Sequence, residues 1–214
     1  MKDYKRTIKL KFKFLSIFYD AFDFAFLIDQ SKNPRENVAK KTPDKNIQIL
    51  DVCIGTANTA IAVAKSTPSN KITGIDLSED MIKVAGKKIK KLKLTNISLE
   101  QMDATKLDFK KNNFDIVMIS FGLHELEHNL MLKVLKEMNR VLKKNCKIYI
   151  IDYEEENRLL EKFLLWLCLK IFEPKHVRKF LLYNREDILK TAGFALEKKE
   201  KQLFSKIITG IKKG

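Results

Sequence analysis

The stretch Ile49-Leu-Asp-Val-Cys-Ile-Gly-Thr-Ala-Asn58 joins an apolar strand to a glycine turn, with an acid near the end of the strand. Such a turn, followed by a helix, lets backbone N–H groups approach a ligand at the carboxyl end of the strand. A second apolar run, Lys71–Asp76, ends in a carboxylate 21 residues after Gly55. That separation is close to the ~20 residues expected for an acid that binds ribose hydroxyls. Together the two features predict a nucleotide-cofactor site.

Apolar strands alternate with amphipathic helices along the chain, which predicts a mostly parallel sheet. The predicted strands are Gln48–Ile54, Lys71–Asp76, Phe114–Ser120 and Lys147–Asp152, followed by β-like runs near Ala195–Leu203 and Ser205–Ile211. The last two runs predict an antiparallel edge hairpin. Ser78 is expected to cap the helix after the second strand, because Glu79 and Asp80 in the first turn complement the helix dipole.

Residues 48–152 resemble, in order, the class I S-adenosylmethionine-dependent methyltransferases, whose first motif reads roughly Asp-x-Gly-x-Gly-Thr-Gly. Asp51 matches the acid of that motif, and Gly55-Thr56 matches its central pair. The later matching segments are Gly74-Ile-Asp-Leu-Ser78, Met102-Asp-Ala104, Phe114–Ser120, Gly122-Leu-His124, Glu137–Lys143 and Lys147–Asp152. The resemblance implies a Rossmann-like three-layer α/β sandwich with a seven-strand sheet, an antiparallel C-terminal hairpin and a helical N-terminal cap.

Within that superfamily, the N-terminal pair Tyr19-Asp20 and the ending Asp187–Phe194 look most like the ubiquinone/menaquinone-biosynthesis and small-molecule group. This similarity implies methyl transfer from S-adenosylmethionine, with S-adenosylhomocysteine as product. The expected acceptor is small and hydrophobic or amphiphilic, such as a quinone precursor, a lipid amine or a metabolite.

The resemblance also implies roles for the cofactor residues. Asp76 would accept hydrogen bonds from the ribose, Asp103 would meet the adenine amine, and Asp51 would fix the turn and the amino end of the methionine moiety. The full predicted set is Asp51, Cys53, Gly55, Ala57, Asp76, Leu77, Asp103, Ala104 and Ser120. Cys53 and Ala57 stand where the family usually has glycines, and each Cβ narrows the space for close backbone approach. Because both side chains are small, we expect binding to survive with an adjusted turn.

His124-Glu-Leu-Glu-His128 matches the His-Glu-x-x-His pattern of zinc metalloproteases, in which two imidazoles share one helix face. The motif starts just after a buried strand, and no third ligand stands out downstream. We therefore interpret the match as incidental and expect no metal.

In the methyltransferase interpretation, His124 lies beside the transferred methyl group. There an imidazole either accepts a substrate proton or only orients the substrate, and both roles stay open. The predicted substrate contacts are Tyr19, His124, Tyr153 and Trp166.

Length and composition predict one domain of 214 residues with 45% hydrophobic residues. Its predicted parts are a helical cap (1–46), a cofactor-binding core (47–152), a helical lid (153–184) and a final helix with the edge hairpin (185–214).

Three cysteines imply no disulfide framework, which fits a reducing cytoplasm. Charged residues interrupt the N-terminal apolar run and argue against a signal peptide. The longest apolar stretch, Phe163–Leu169, is far below the ~20 residues of a membrane-spanning helix.

The formal net charge of +15 attracts acidic partners, either nucleic acid or anionic lipid. Specific phosphate recognition favours arginine, however, and only six of the 42 cationic residues are arginine. The lysines between Lys83 and Lys93 are explained by the solvated face of a helix, whose apolar positions are predicted to face the sheet: Met81, Ala85, Ile89 and Leu92. The apolar segment Phe163–Phe172 suits an amphiphilic substrate or a membrane surface as well as it suits a packed cap helix.

We therefore expect a cytoplasmic enzyme with a small-molecule or lipid-like substrate and no nucleic acid, while peripheral contact with anionic membranes and the oligomeric state stay open. Two alternatives are kept. An RNA or protein methyltransferase would suit the positive charge, but Ser120-Phe-Gly-Leu123 replaces the Asn/Asp-Pro-Pro-aromatic motif expected after the fourth strand. A non-catalytic binding protein would have lost the cofactor through Cys53 and Ala57.

Overall fold

The computed structural model describes residues 33–154, 183–202 and 205–214, which contain five helices and seven strands. In chain order these elements are α1 (Pro34–Lys41), β1 (Gln48–Val52), α2 (Asn58–Ser66), β2 (Lys71–Asp76), α3 (Glu79–Lys91), β3 (Ile97–Gln101), β4 (Phe114–Ser120), α4 (His128–Val141), β5 (Leu142–Tyr153), α5 (Arg185–Thr191), β6 (Phe194–Gln202) and β7 (Ser205–Lys212). The strands form a seven-stranded sheet in the order β3-β2-β1-β4-β5-β7-β6. β7 runs antiparallel to β5 and β6. The predicted α/β class, seven-strand sheet and antiparallel C-terminal hairpin are confirmed.

The predicted N-terminal cap falls partly within the described residues. Helix α1 begins at Pro34, and the side chain of Asn33 caps it by accepting the Arg35 N–H at 3.0 Å. Proline suits the first position of a helix because its missing N–H would have no partner there. Tyr19 and the rest of residues 1–32 lie outside the described residues, as does the segment 155–182 with Trp166 and Phe163–Phe172.

The chain divides into two compact units, residues 1–108 and 109–214. In the first unit β1, β2 and β3 are parallel, and Asp51 of β1 lies beside Gly74 of β2. The buried apolar side chains of this unit come from β1, α2, β2 and α3 and include Ile49, Leu50, Val52, Ala60, Val63, Ile72, Ile75, Met81, Ala85 and Ile89. Strand β1 ends at Val52 rather than at the predicted Ile54, because the backbone turns at Cys53, whose φ is 55°.

Helix α3 has the predicted amphipathic character. Ser78 caps it by accepting the Met81 N–H at 3.3 Å, as expected. Its lysines Lys83, Lys87, Lys90 and Lys91 are exposed. The prediction that Leu92 faces the sheet is wrong: this residue is 41% exposed, because the helix ends at Lys91 and Leu92 is its C-cap.

In the second unit β4 and β5 are parallel. The β6–β7 hairpin joins the sheet because β7 pairs with β5, which leaves β6 at the edge. Strand β5 begins at Leu142, five residues before the predicted start, because Leu142 pairs with Phe114 ahead of a register shift. The Lys212 ammonium of β7 donates to the carbonyls of Asn139 and Leu142, each at 2.7 Å, and to Asn112 Oδ1 at 2.8 Å. This cation thereby ties the last strand to the C-terminal end of α4.

Gly74 on β2 generates a prediction about packing in the first unit. A Cβ at this position would lie 2.0 Å from Ile54 Cδ1, so Gly74→Ala should lower the free energy of unfolding by roughly 1–3 kcal/mol. The measurement is urea denaturation. Ile54→Val removes Cδ1, and in that background the same substitution should cost less.

Gly86→Ala, in helix α3, is the matched control. Its Cβ would lie 3.7 Å from Leu99 Cδ1, an ordinary van der Waals distance. It should stabilise the protein by about 0.5–1 kcal/mol. An equal loss of stability for both alanine variants would contradict the steric account.

Candidate functional site

The turn between β1 and α2 is built from left-handed residues. Cys53 and Gly55 have φ values of 55°, and Ala57, the N-cap of α2, has 66°. A left-handed conformation costs a residue with a Cβ about 1–2 kcal/mol. Cys53 and Ala57 therefore adopt backbone conformations in which a glycine would be relaxed. That cofactor binding survives with an adjusted turn stays a prediction.

Asp76 at the end of β2 holds this turn in place. Its Oδ2 accepts the Gly55 N–H at 2.9 Å, and its Oδ1 accepts the Ser78 N–H at 2.9 Å. Burial raises the pKa of the Asp76 carboxyl, while the N–H groups of Ser78, Gly55 and Leu77 act to lower it. The structure thus brings together two predicted cofactor residues, Asp76 and Gly55, through one direct hydrogen bond.

Asp51 on β1 is a buried carboxyl in the same unit. Burial raises its pKa to about 8, the Arg35 guanidinium opposes that rise, and the charge of Asp76 adds to it. Its Oδ1 has no hydrogen-bond partner among the described residues. A buried acceptor without a donor is costly, so this oxygen marks a position where a ligand donor would be stabilising.

Asp103 and Ala104 lie just after β3, both half-buried. Asp103 Oδ1 accepts the Thr105 N–H at 3.0 Å and the Thr105 hydroxyl at 2.8 Å. The preceding residue, Met102, donates its N–H to the Asp76 carbonyl at 2.9 Å. This hydrogen bond attaches the predicted adenine segment to the end of β2.

Two cationic residues of this unit escaped the sequence analysis. Arg35 is buried and acts electrostatically on Asp51. Lys88 of α3 donates to Asn58 Oδ1 and approaches Thr56 Oγ1 at 3.5 Å. Neither contact follows a short sequence spacing, because each joins residues that only the fold brings together.

In the second unit, the predicted residue Ser120 ends β4, and the predicted residue His124 lies in the turn that follows. The hydroxyl of Ser120 is buried with no hydrogen-bond partner in the part of the chain that the structure describes. Phe121 has a φ of 51° and donates its N–H to the Ile151 carbonyl of β5 at 2.8 Å. A bulky residue in the left-handed region is a conformational outlier, which is typical of turns at functional sites.

His124 is fully buried beside Asp152 of β5. Its Nδ1 lies 2.7 Å from Asp152 Oδ1, and its Nε2 lies 3.8 Å from Glu125 Oε1. The His124 and Tyr153 rings have centroids 4.7 Å apart, and the Tyr153 and Phe121 rings 5.4 Å. The structure thus places two predicted substrate residues, His124 and Tyr153, in contact.

The sequence analysis missed Asp152, although one signal was present. Like Asp76, it is an acid at the end of an apolar strand, and the same pattern that selected Asp76 would have selected it. The His-Glu-x-x-His motif, by contrast, has no helical geometry, because α4 begins only at His128. The two imidazoles are therefore not on one helix face, and His128 contacts Tyr183 with ring centroids 5.0 Å apart. Among the described residues, no three or more His, Cys, Asp or Glu side chains are arranged so that they could hold a metal ion.

A model described as the ubiE/COQ5 methyltransferase family matches residues 2–172 of the chain. The chain belongs to the ubiE/COQ5 methyltransferase family. It is 33% identical over 208 residues to a demethylmenaquinone methyltransferase from Staphylococcus haemolyticus, a match that covers 94% of this chain and 84% of that protein. It is 40% identical over 141 residues to the protein of that name from Staphylococcus carnosus, covering 65% of this chain and 57% of that protein.

A solved structure supports the fold of this family member. A crystal structure of an S-adenosylmethionine-dependent methyltransferase from Aquifex aeolicus superimposes with a TM-score of 0.67 at 24% identity, over 83% of this chain and 88% of that one. The family assignment makes the protein an enzyme that uses S-adenosylmethionine, and it disfavours the non-catalytic alternative. Within the described residues, no helix is both long and apolar enough to cross a membrane.

The Asp51 carboxyl generates a prediction about pH. Its pKa of about 8 in the folded protein exceeds the ordinary value of 3.8, so the folded state holds a proton that the unfolded state loses above about pH 4. The free energy of unfolding should therefore fall as the pH rises from about 5 to 8. In Asp51→Asn, the decrease in the free energy of unfolding between pH 5 and 8 should be smaller by an amount on the order of 1–3 kcal/mol. The measurement is urea denaturation without cofactor at several pH values.

Asp76 also has a raised pKa, so part of the pH dependence should persist in that variant. Asp108→Asn removes a carboxyl from an exposed residue and is the matched control. An Asp51→Asn protein with the same pH dependence as the unmodified protein would show that Asp51 is ionised throughout this range.

Proposed function

We propose that this enzyme methylates a quinone-type acceptor and that His124 accepts the proton that the acceptor loses. The observation that carries the proposal is the cluster of His124, Tyr153 and Phe121, whose rings are in contact next to the ends of β4 and β5. Aromatic side chains favour planar aromatic ligands, and the imidazole supplies a titratable group beside them. The relatives from Staphylococcus, described as demethylmenaquinone methyltransferases, support an acceptor of that class.

The turn after β1 fits the cofactor by its own geometry. A Cβ on Gly55 would meet no atom within 4 Å, so this position leaves space for a ligand. Helix α2 begins at Asn58, its N-cap Ala57 supplies no side-chain hydrogen bond, and such a helix N-terminus attracts negative charge on a ligand. Asp51 Oδ1 adds a buried acceptor for an ammonium or amide donor.

We infer that S-adenosylmethionine is held by the turn from Cys53 to Ala57 together with Asp51, Asp76, Leu77, Asp103 and Ala104. When bound, it supplies an electrophilic methyl group on a sulfonium sulfur. Asp76 is already oriented by two backbone N–H groups, so its carboxylate does not need to reorganise to accept ribose hydroxyls. The role of Ser120 stays a prediction.

The acceptor must be the reduced form of the quinone. An oxidised quinone is itself electrophilic, whereas a hydroquinone that loses a phenolic proton becomes a nucleophile at oxygen and at the adjacent ring carbons. Methylation then adds one methyl group and releases one proton, and no oxidant is consumed. His124 Nε2 is the atom that we propose takes this proton, since Nδ1 faces Asp152.

A hydrophobic acceptor is delivered from a membrane, and we propose that the enzyme contacts anionic lipid surfaces. The net charge of +15 supports such attraction. Lys87, Lys90 and Lys91 of α3 are exposed, and so is Leu92, which follows them in the sequence. Exposed lysines together with an exposed apolar side chain are typical of helices that bind anionic lipid.

The acceptor assignment predicts a redox-dependent reaction. A 1,4-naphthoquinol that lacks the ring methyl group should be methylated when kept reduced, and the oxidised quinone should not. His124→Gln should lower kcat by about 100-fold, because general-base catalysis contributes on that scale, with little change in affinity for S-adenosylmethionine. His128→Gln, next to the motif but at the start of α4, should stay close to the unmodified rate.

A second arm of that experiment carries the quinol in phosphatidylglycerol vesicles. Turnover should then fall as salt is raised, because salt screens the lysines. Methylation of RNA at physiological salt, with no activity on the quinol, would instead favour the nucleic-acid alternative.

The cofactor assignment predicts a defined loss for Asp76→Asn. S-adenosylmethionine should bind more weakly by about 1–3 kcal/mol, the value of a charged hydrogen bond. Titration calorimetry measures this. Asp108→Asn is again the control, and unchanged affinity of the Asp76 variant would remove Asp76 from the cofactor site.

A further inference from the structure

Asp152 makes hydrogen bonds to one imidazole and three backbone N–H groups. Its Oδ1 accepts from His124 Nδ1 at 2.7 Å and from its neighbour Tyr153 N at 2.8 Å. Its Oδ2 accepts from Leu123 N at 3.1 Å and His124 N at 3.2 Å. The residue is 1% exposed. A carboxylate offers about four acceptor positions, and here four donors occupy them.

These contacts fix the tautomer of His124. Carboxylate oxygens only accept hydrogen bonds, so Nδ1 must be the donor, and the neutral imidazole then carries its lone pair on Nε2. The two N–H bonds to Oδ2 also fix the backbone on both sides of the Leu123 Cα, immediately before His124. One side chain therefore orients both the ring and the turn that carries it.

The charged groups around the ring complete the account. Asp152 and Tyr153 approach it from β5, and Glu125 approaches from the turn, with Oε1 3.8 Å from Nε2. A proton taken up at Nε2 would create a cation between two buried carboxyl groups.

We propose that Asp152 is a positioning residue for methyl transfer: it holds His124 with the proton on Nδ1, so that Nε2 is the atom that accepts the proton of the acceptor. The inference rests on the proposed function of His124 and extends it to a residue of β5. Asp152 itself does not touch the acceptor in this account; it acts through the imidazole.

The first test is independent of activity. Nitrogen-15 NMR of the full-length protein, with His124→Gln used to assign the signal, should show a neutral His124 protonated at Nδ1. In Asp152→Asn the one remaining oxygen is expected to accept from the Leu123 and His124 N–H groups, so that the NH₂ faces Nδ1 and cannot accept from it. The tautomer should therefore change. A His124 protonated at Nε2 in the unmodified protein would overturn the proposal, and this measurement stands even where the asparagine variant does not fold.

The second test is a double-mutant cycle on quinol methylation. Asp152→Asn should lower kcat by about 100-fold while KM and the dissociation constant of S-adenosylmethionine change less than about threefold. In the His124→Gln background, Asp152→Asn should lower kcat further by less than about threefold, because the two residues act as one unit. A full additional loss in that background would indicate a merely structural role and contradict the proposal.

Asp115→Asn is the matched control, since Asp115 is also a strand aspartate of this unit but pairs with Lys143 at 2.6 Å. The outcomes separate the two hypotheses. If quinol methylation is absent while the NMR shows the Nδ1 tautomer changing in Asp152→Asn, the proposed function fails and the positioning role of Asp152 stands. If methylation depends on His124 but not on Asp152, the proposed function stands and the positioning role of Asp152 fails.

Discussion

One interaction recurs in both units: a carboxylate at the end of a strand accepts backbone N–H groups from the turn that follows the neighbouring parallel strand. Asp76 of β2 does this for Gly55 after β1, and Asp152 of β5 does it for Leu123 and His124 after β4. A turn that leaves a sheet exposes N–H groups that have lost their ladder partners, and leaving them buried and unsatisfied is costly. The strand-end carboxylates satisfy these donors and fix the turns. In each unit, the geometry of a turn that carries residues with a proposed role depends on that constraint.

The sequence predicts the pair Gly55–Asp76 but not the pair His124–Asp152. Gly55 and Asp76 fit a known spacing, so the turn and its acid were recognised together. Asp152 lies 28 residues after His124, with α4 and most of β5 between them, and no local rule connects the two. Periodicity reports which face of an element is buried, but a hydrogen bond between side chains from different elements depends on register. For the same reason the β4–β5 register, with Leu142 opposite Phe114, could not be read from the hydrophobic pattern.

Element types were predicted more reliably than their ends. Strand β2 agrees from Lys71 to Asp76 because its apolar run and its terminal acid coincide with the structure. The end of β1 was placed two residues too late because Cys53 and Ile54 are apolar and continue the pattern, whereas the backbone has already turned. Hydrophobicity alone does not register a change in φ. Leu92 shows the same limit, since a helical period does not reveal that the helix has ended one residue earlier.

Residues with positive φ occur both in ordinary turns and in the turns with proposed functional residues, but the residue types differ. The described residues with positive φ that are not glycine are Asn46, Cys53, Ala57, Lys93, Asn112, Phe121 and Asn145. Asparagine tolerates the left-handed region, and Lys93 follows the end of α3, where such a conformation is common. Cys53, Ala57 and Phe121 have neither explanation, and they follow β1 and β4, the strands whose turns the two carboxylates hold. Strain persists only where the surrounding structure enforces it. Asp76 holds Gly55, which lies between Cys53 and Ala57, and the Ile151 carbonyl of β5 accepts the Phe121 N–H. The hydrogen bond from Gly55 to Asp76 thus anchors the middle of the first turn, while Cys53 and Ala57 on either side carry side chains at positions where glycine would be relaxed.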